Sequence, residues 1–342
     1  MATIYDVAKR AGVGKSAASA VLSGSVSTAR FSEDTRQRVQ QAALDLGYRP
    51  NAVARGLARG RMYAIGVLFS DVEPQIVTNP YATGVLQGIM GAAARAGYNV
   101  LLFTRTSKDI HQSASFIGDR STDGILVIAP YVDSPVIATL AALDIPIVAV
   151  SSRFEDHGVP SVDLDNALGA RLAVDHLLKL GHTRIAHIMG DFDHADSITR
   201  RSAFEAALHD AGIAVEPAYI QVGHYKTTDA YDCTRALLTL PNPPTAIFCG
   251  NDEMAQGALD AARDMGISVP AQLSVVGFDD VPLASLLTPP LTTVHQPLEQ
   301  IGELATRLLI ARMAGVAGAP QTHCLQPELV VRGSTGPVPP PK

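Results

Sequence analysis

Apolar residues recur along this chain at two different periods. Over the first fifty residues they come in three sets, Ile4, Val7, Ala8 and Ala11, then Ala18, Val21 and Leu22, then Val39, Ala42, Ala43 and Leu46. That three- and four-residue spacing belongs to the inner faces of short helices. Thr3 and Asp6 have the form of a capping box ahead of the first set. Gly12 breaks that helix, and Val13 supplies an apolar plug in the turn. A second helix is expected from Lys15 to Leu22. A third, opened by Ser32 with acids in its first turn, is expected over Glu33–Leu46, with Gly47 as its stop. From Tyr63 the pattern changes. Continuous apolar runs (YAIGVLF, NVLLF, DGILVIA, IPIVAV, RIAHIMG, YIQVG, TAIFCG, LSVVGFD) alternate with helical stretches such as Tyr81–Ala96, Ala167–Leu180 and Thr199–Ala211. Such runs fit strands buried on both faces, hence parallel sheets covered by helices. About eleven strands divide better between two sheets than they fill one, and the division is expected near Asp163–Asp165. The fold class is therefore an N-terminal all-α helix-turn-helix domain followed by an α/β body of two doubly wound parallel-sheet subdomains.

The first two helices, with a Gly-containing turn and small residues where they cross, form a pair whose second member can enter the major groove of DNA. Its exposed face carries Lys15, Ser16, Ser19 and Ala20. Gly14-Lys15-Ser16 also resembles the end of a phosphate-binding P-loop. The first glycine of that motif would fall at Lys9, however, and no strand precedes it, so that reading is set aside.

Charge supports the division of labour. Net charge is −6 over 342 residues, yet residues 1–60 hold nine Lys/Arg against four Asp/Glu, leaving the rest of the chain at −11. A basic head on an acidic body points to a head that meets a polyanion. No apolar run approaches membrane-spanning length. The N-terminus lacks the layout of a signal peptide, so a cytoplasmic protein is expected. Cys233, Cys249 and Cys324 are odd in number and widely spaced, and read as small core residues; no metal or other cofactor is expected.

The stretch RPNAVARGLARGR at 49–61 surrounds Leu57 with Arg55, Arg59 and Arg61. One reading is a flexible basic linker. The other is a segment that becomes helical on DNA, with Leu57 wedged between base steps of the minor groove. Gly56 weakens such a helix, so its ordering should depend on DNA, and Gly56→Ala should tighten DNA binding or weaken release. The tail GPVPPPK, from Gly336, is expected to be disordered.

Parallel α/β sheets bind ligands beyond the carboxyl ends of their strands. The polar residues there are Tyr81, Asp165, His194, Asp196, Arg200, Tyr225, Asn251, Asp252, Asp279 and Gln296. Any one of them could simply cap a helix or anchor a loop, and Asp252 reads as such a cap. Their convergence from several strands is what suggests a site.

TIYDVAKRAGV, the segment EDTRQRVQQAALDLGYRPNAVARGLARG and the body that follows resemble the LacI/GalR family of bacterial transcription regulators over nearly the whole chain. The resemblance implies a periplasmic-binding-protein-like body at 62–335 after a DNA-binding domain at 1–49 and a hinge at 50–61. The body's first subdomain would comprise about 62–163 and 292–322, its second about 164–291 and 323–335. It implies a homodimer on pseudo-palindromic operator DNA, with no membrane partner. Thr3, Tyr5, Lys15, Ser16, Ser19, Ala20, Asn51, Arg55 and Leu57 are the DNA-facing candidates. Tyr81, Asp165, Arg200, Tyr225, Asn251, Asp279 and Gln296 match effector-contacting positions, Arg200 and Asp279 as a pair for vicinal hydroxyls. His194 stands where a purine-binding member has an arginine, and Asp196 also departs from it. A neutral sugar effector is therefore expected over an anion or nucleobase. Gly14 and Ala20 replace a usual cap and a larger base reader, so the half-site should be altered. The alternatives are a transport-type sugar-binding protein and a sugar-acting α/β enzyme, for which Asp279 and Asp280 could supply acid–base chemistry.

Overall fold

The computed structural model describes residues 2–23, 31–49, 51, 56, 60–69, 78–104, 117–143, 145–154, 158–316, 318 and 321–338. The chain forms two compact units, residues 1–63 with 120–122, and the remainder.

In the first unit, α1 (Ile4–Ala11) opens on the expected capping box. The Thr3 hydroxyl accepts from the Asp6 amide, and the Asp6 carboxylate accepts from the Thr3 amide at 2.8 Å. Gly12 ends the helix at φ 66°, in the left-handed region where a glycine meets no Cβ penalty. Helix α2 (Lys15–Ser23) and α3 (Glu33–Asp45, capped by Ser32) complete a core of Val7, Ala8, Ala11, Ala18, Val21, Val39, Ala42 and Ala43. Leu22 and Leu46 only flank it. Gly56 is buried, and a Cβ there would overlap the Met62 sulfur. Its lack of a side chain thus serves close packing as well as backbone freedom, which qualifies the simple expectation for Gly56→Ala. Arg55 and Leu57 lie outside the described residues.

The second unit contains two six-stranded sheets. The first has the order β11-β5-β4-β3-β1-β2, from strands β1 (Ala64–Phe69), β2 (Asn99–Leu102), β3 (Gly124–Ile128), β4 (Ile147–Val150), β5 (Ser161–Leu164) and β11 (Thr322–Leu325), all parallel. The second has the order β12-β10-β9-β8-β6-β7, from β6 (Ile185–Met189), β7 (Ile220–Val222), β8 (Ala246–Cys249), β9 (Ser274–Asp279), β10 (Thr292–His295) and β12 (Glu328–Val330). Only its edge pair β10–β12 is antiparallel among the described strands.

Helices cover both faces, as the continuous apolar strands require. On the first sheet, α4 (Pro80–Arg95) and α11 (Leu298–Met313) pack on one face and α5 (Pro135–Ala142) on the other. On the second, α8 (Thr227–Leu238) and α9 (Asp252–Asp264) oppose α6 (Asn166–Lys179) and α7 (Ala195–Asp210). Helices α4 and α11 cross so closely at Gly88 and Gly302 that a Cβ on either would overlap the partner's backbone. A short α10 (Pro282–Leu286) follows β9.

Four expectations are corrected. Residues 292–295 belong to the second sheet, where Thr292 registers with Val276 and Thr293 with Gly277, so the chain crosses after His295 rather than near Thr292. Strand β11 pairs in parallel with β5, so the return crossing falls after Leu325 rather than near His323. Subdomain bounds at 292 and 323 therefore assign both strands to the wrong lobe. The tail is ordered through Val338: its amide donates to the Leu180 carbonyl at 2.9 Å, and the Gly336 amide and carbonyl both bond the Ser274 hydroxyl. Prolines at 337 and 339–341 do not prevent this, because the donors used are those of Gly336 and Val338. Of the cysteines, Cys249 is a core residue, but Cys233 is half-buried and Cys324 exposed on an edge strand.

Candidate functional site

The carboxyl ends of both sheets line one cavity of about 810 Å³. Each sheet contributes its topological switch point, β1/β3 in the first and β6/β8 in the second, where the strand order reverses and a crevice is left open. Phe69, Ile128, Ala129 and Ser151 come from the first sheet's strand ends, and Asn79, Tyr81 and Ala82 from the start of α4. The second sheet supplies Asn166, Asp191, His194, Asp196, Arg200, Tyr225, Asn251, Asp279 and Gln296, among others. Strain concentrates here. Of eight non-glycine residues at positive φ among those described, Ala129, Ser151, His224, Tyr225, Asp279 and Asp280 all end or follow strands at this end. Backbone held in so sparsely populated a region aims side chains that a relaxed turn would not.

Arg200, 4% exposed, is fixed from four sides. Its Nε donates to Asn166 Oδ1 at 2.9 Å, Nη1 to the Gly250 carbonyl at 2.6 Å, and Nη2 lies 3.3 Å from Asp196. The guanidinium sits 3.7 Å over the Phe278 ring. Asp279 accepts from Gln296 Nε2 at 2.6 Å. Burial pushes its carboxyl up to about 7, opposed by Arg200 and the Gln296 bond and reinforced by Asp196 and Glu253. The Tyr225 hydroxyl donates to Asp196 at 2.9 Å, and its ring lies so close to Gly190 that a Cβ there would overlap it. Tyr81 donates to the Ser151 hydroxyl at 2.6 Å. Burial raises both phenols, so they stay protonated donors. One of the places where the lobes touch is a rim of the cavity. The Val132 amide donates to the Asp193 carbonyl at 2.9 Å, and the Tyr131 ring centroid is 4.9 Å from that of His194.

Eight of the ten polar residues expected beyond the strand ends thus converge on the cavity: Tyr81, His194, Asp196, Arg200, Tyr225, Asn251, Asp279 and Gln296. Asp165 does not. Its carboxylate folds back to cap α6, accepting from the Leu168 amide at 2.9 Å, and the next residue, Asn166, faces the cavity instead. The roles at the start of α9 are exchanged. Asn251, not Asp252, is the cap, accepting from the Met254 amide at 2.8 Å while still lining the cavity. Asp252 is buried beneath it, bonded to the Thr293 hydroxyl at 2.5 Å and the Val281 amide at 2.9 Å. Helix α7 begins at Ala195, four residues before the expected Thr199, so His194 is its flanking residue with no side-chain cap bond. Asp280 turns away to Arg332 at 2.6 Å and His295 at 3.1 Å, so the adjacent carboxylates do not converge on one reacting point. Ser151, Asn166, Lys226 and Glu253 were not foreseen; only their positions just past strands or in first helical turns could have signalled them.

On the head, Lys15, Ser16 and Ser19 are exposed and Ala20 half-buried. Lys15 Nζ lies 3.2 Å from the Tyr5 hydroxyl and 4.5 Å from its ring centroid. Asn51 is exposed. Among the described residues no group of His, Cys, Asp and Glu is arranged to hold a metal ion, and no helix is long and apolar enough to cross a membrane.

A basic helix-turn-helix unit on the same chain as a two-lobed α/β body with a polar cleft defines a ligand-responsive DNA-binding regulator. Residues 3–51 match the model of bacterial regulatory proteins of the lacI family, and residues 174–335 that of the periplasmic binding protein-like domain. The chain is 31% identical over 337 residues to the HTH-type transcriptional repressor PurR of Histophilus somni (strain 129Pt), covering 98% of this chain and 99% of that one. It is 32% identical over 338 residues to the ribose operon repressor of Escherichia coli (strain K12), covering 98% and 100%. The lac repressor dimer bound to operator and the anti-inducer ONPF superposes with a TM-score of 0.86 at 28% identity, covering 98% and 99%. The chain belongs to the LacI family: it is a DNA-binding transcriptional repressor with an effector-binding domain. The lacI-family head removes the transport-type binding protein from consideration, and the relatives are repressors rather than enzymes.

Proposed function

We propose that the effector is a neutral sugar or related polyol, held in the cleft by Tyr81, His194, Arg200, Tyr225, Asn251, Asp279 and Gln296. PurR and the ribose operon repressor are nearly equal in identity to this chain, so the argument rests on the cleft's own chemistry. The observation that carries it is the charge balance of the lining. Asp191, Asp196, Glu253 and Asp279 face Arg200 and Lys226, and Arg200 is already engaged by Asp196. An anionic ligand would meet surplus negative charge. Hydroxyl groups can donate to those carboxylates, which ionised carboxylates need since they only accept. Tyr81 and Tyr225 add flat faces for the C–H surface of a ring.

Two copies pair through their bodies, as the apolar side chains of Met90 on α4 (53% exposed) and Leu101 on the edge strand β2 (39% exposed) favour. The heads read operator half-sites with Lys15 and Ser16 in the major groove, and Leu57 and Arg55 act in the hinge. Ligand in the cleft shifts the lobes and biases hinge ordering, for which a coupling of about 1–3 kcal/mol suffices.

A gel shift on operator DNA selected from a random pool, repeated with a panel of sugars, tests head, cleft and coupling together. Sugar-dependent operator affinity is expected, with half-site preference lost in Lys15→Ala and Ser16→Ala. Calorimetric binding to purines with none to any mono- or disaccharide would refute the sugar reading.

A further inference from the structure

The cavity is longer than one sugar ring. In the second sheet, the strands that end at it run in the order β10, β9, β8, β6, β7, contributing Gln296, Asp279, Asn251, Asp191 and His224 in turn. Neighbouring strands lie about 4.8 Å apart, so this row extends about 19 Å, against roughly one strand spacing for a single ring.

Polar groups gather at both ends of the row. At the β8–β10 end are Gln296, Asp279 and Asn251, joined by Arg200, whose guanidinium reaches the Gly250 carbonyl and stacks on Phe278 of β9. At the β6–β7 end the Asp191 carboxylate meets His224 Nδ1, and Lys226, Thr227 and Thr228 begin α8. Glu253 belongs to this second group. One helical turn later, Gly257 takes the Thr227 carbonyl so closely that a Cβ would overlap it, which places the Glu253 face of α9 beside the start of α8. Burial raises the Glu253 carboxyl. The side chains of Lys226 and Glu253 both line the cavity, and neither makes a hydrogen bond among the described residues. Tyr225, seated on Gly190 at the end of β6, stands between the two groups.

A single ring held by Arg200 and Asp279 leaves the Lys226 and Glu253 side chains of the second group without a partner among the described residues. We propose that the effector is a glycoside of at least two rings, with its second ring hydrogen-bonded by Lys226, Glu253 and the Asp191–His224 pair. This rests on the sugar reading above and narrows it to a ligand class.

The test is calorimetry on the full-length protein with cellobiose, maltose, lactose and sucrose, each beside its constituent monosaccharides. At least one disaccharide should bind ten-fold or more tightly than either of its components. In Lys226→Ala and Glu253→Ala the ratio of disaccharide to monosaccharide affinity should fall about ten-fold. Thermal unfolding of the unliganded variants reports separately that they fold. A monosaccharide that binds as tightly as the disaccharide containing it overturns the second subsite while sparing the sugar reading. So does a ratio unmoved in both folded variants. Failure of every sugar to bind overturns both.

Discussion

His187 gives the second lobe a measurable sensitivity to acid. It lies in the middle of β6, fully buried, with its ring in stacked contact with both Phe248 at 4.8 Å and Phe204 at 5.1 Å. Nδ1 lies 2.9 Å from the Phe248 carbonyl, an acceptor only, so Nδ1 carries the proton of the neutral ring. Nε2 is buried without a hydrogen-bond partner among the described residues. Protonating it would place a charge among aromatic rings, and burial pushes the group from its ordinary 6.5 down to about 4, with the Phe248 bond opposing the shift and Arg200 and Arg201 adding to it. Because the folded state binds this proton more weakly than the unfolded chain, the stability is fully present above pH 6.5 and is lost as pH falls toward 4. Between pH 7 and pH 5 the linkage amounts to about 2 kcal/mol, and the complete loss below pH 4 to about 3 kcal/mol. His187→Leu removes the titrating ring together with one hydrogen bond worth about 1 kcal/mol and one unsatisfied acceptor, so its effect at pH 7 should be small. Urea unfolding of the full chain, followed by far-ultraviolet circular dichroism at pH 7 and pH 5, should show wild type losing about 2 kcal/mol more than the variant. His176 and His182, also lowered by burial, are present in both proteins and cancel in the comparison. Equal acid losses in the two proteins would refute the reasoning.

Asp279, poised near 7, makes effector binding depend on pH. If ligand hydroxyls donate to its ionised form, affinity should rise up to about ten-fold from pH 6 to pH 8 and become flat and weak in Asp279→Asn; a flat wild-type profile by calorimetry rejects that role. Gly190→Ala would drive a Cβ into the Tyr225 ring and break the Tyr225–Asp196 bond, so effector affinity should fall at least ten-fold, as measured by ligand titration, and an unchanged value would show the ring is not set by that contact. Gly56→Ala gains about 1 kcal/mol of helix propensity, but its Cβ would overlap Met62. The double variant with Met62→Ala should therefore bind operator several-fold more tightly than either single one in a gel shift, and equal affinities would count against hinge ordering as the limiting step.

Local signals were legible wherever one segment decides its own conformation. The Thr3–Asp6 capping box, the Gly12 stop, the apolar spacing of three helices and the unbroken runs of the buried strands all act within a few residues, so periodicity and turn chemistry exposed them. The rule that ligands gather beyond parallel strand ends then selected Tyr81, Arg200, Tyr225, Asn251, Asp279 and Gln296 without knowledge of which strands pair. Strand order could not be read that way. Residues 292–295 and 322–325 look alike as short mixed segments, and only their hydrogen-bonded neighbours, β9 and β5, assign them to opposite lobes. The same holds within each βα turn. Asp165 and Asn166, or Asn251 and Asp252, carry interchangeable chemistry, and which of each pair caps its helix and which turns elsewhere depends on groups far away in sequence: Arg200 for Asn166, Thr293 and the Val281 amide for Asp252. Covalent neighbours set where helices and strands begin, whereas long-range pairing alone fixes the direction a polar side chain faces.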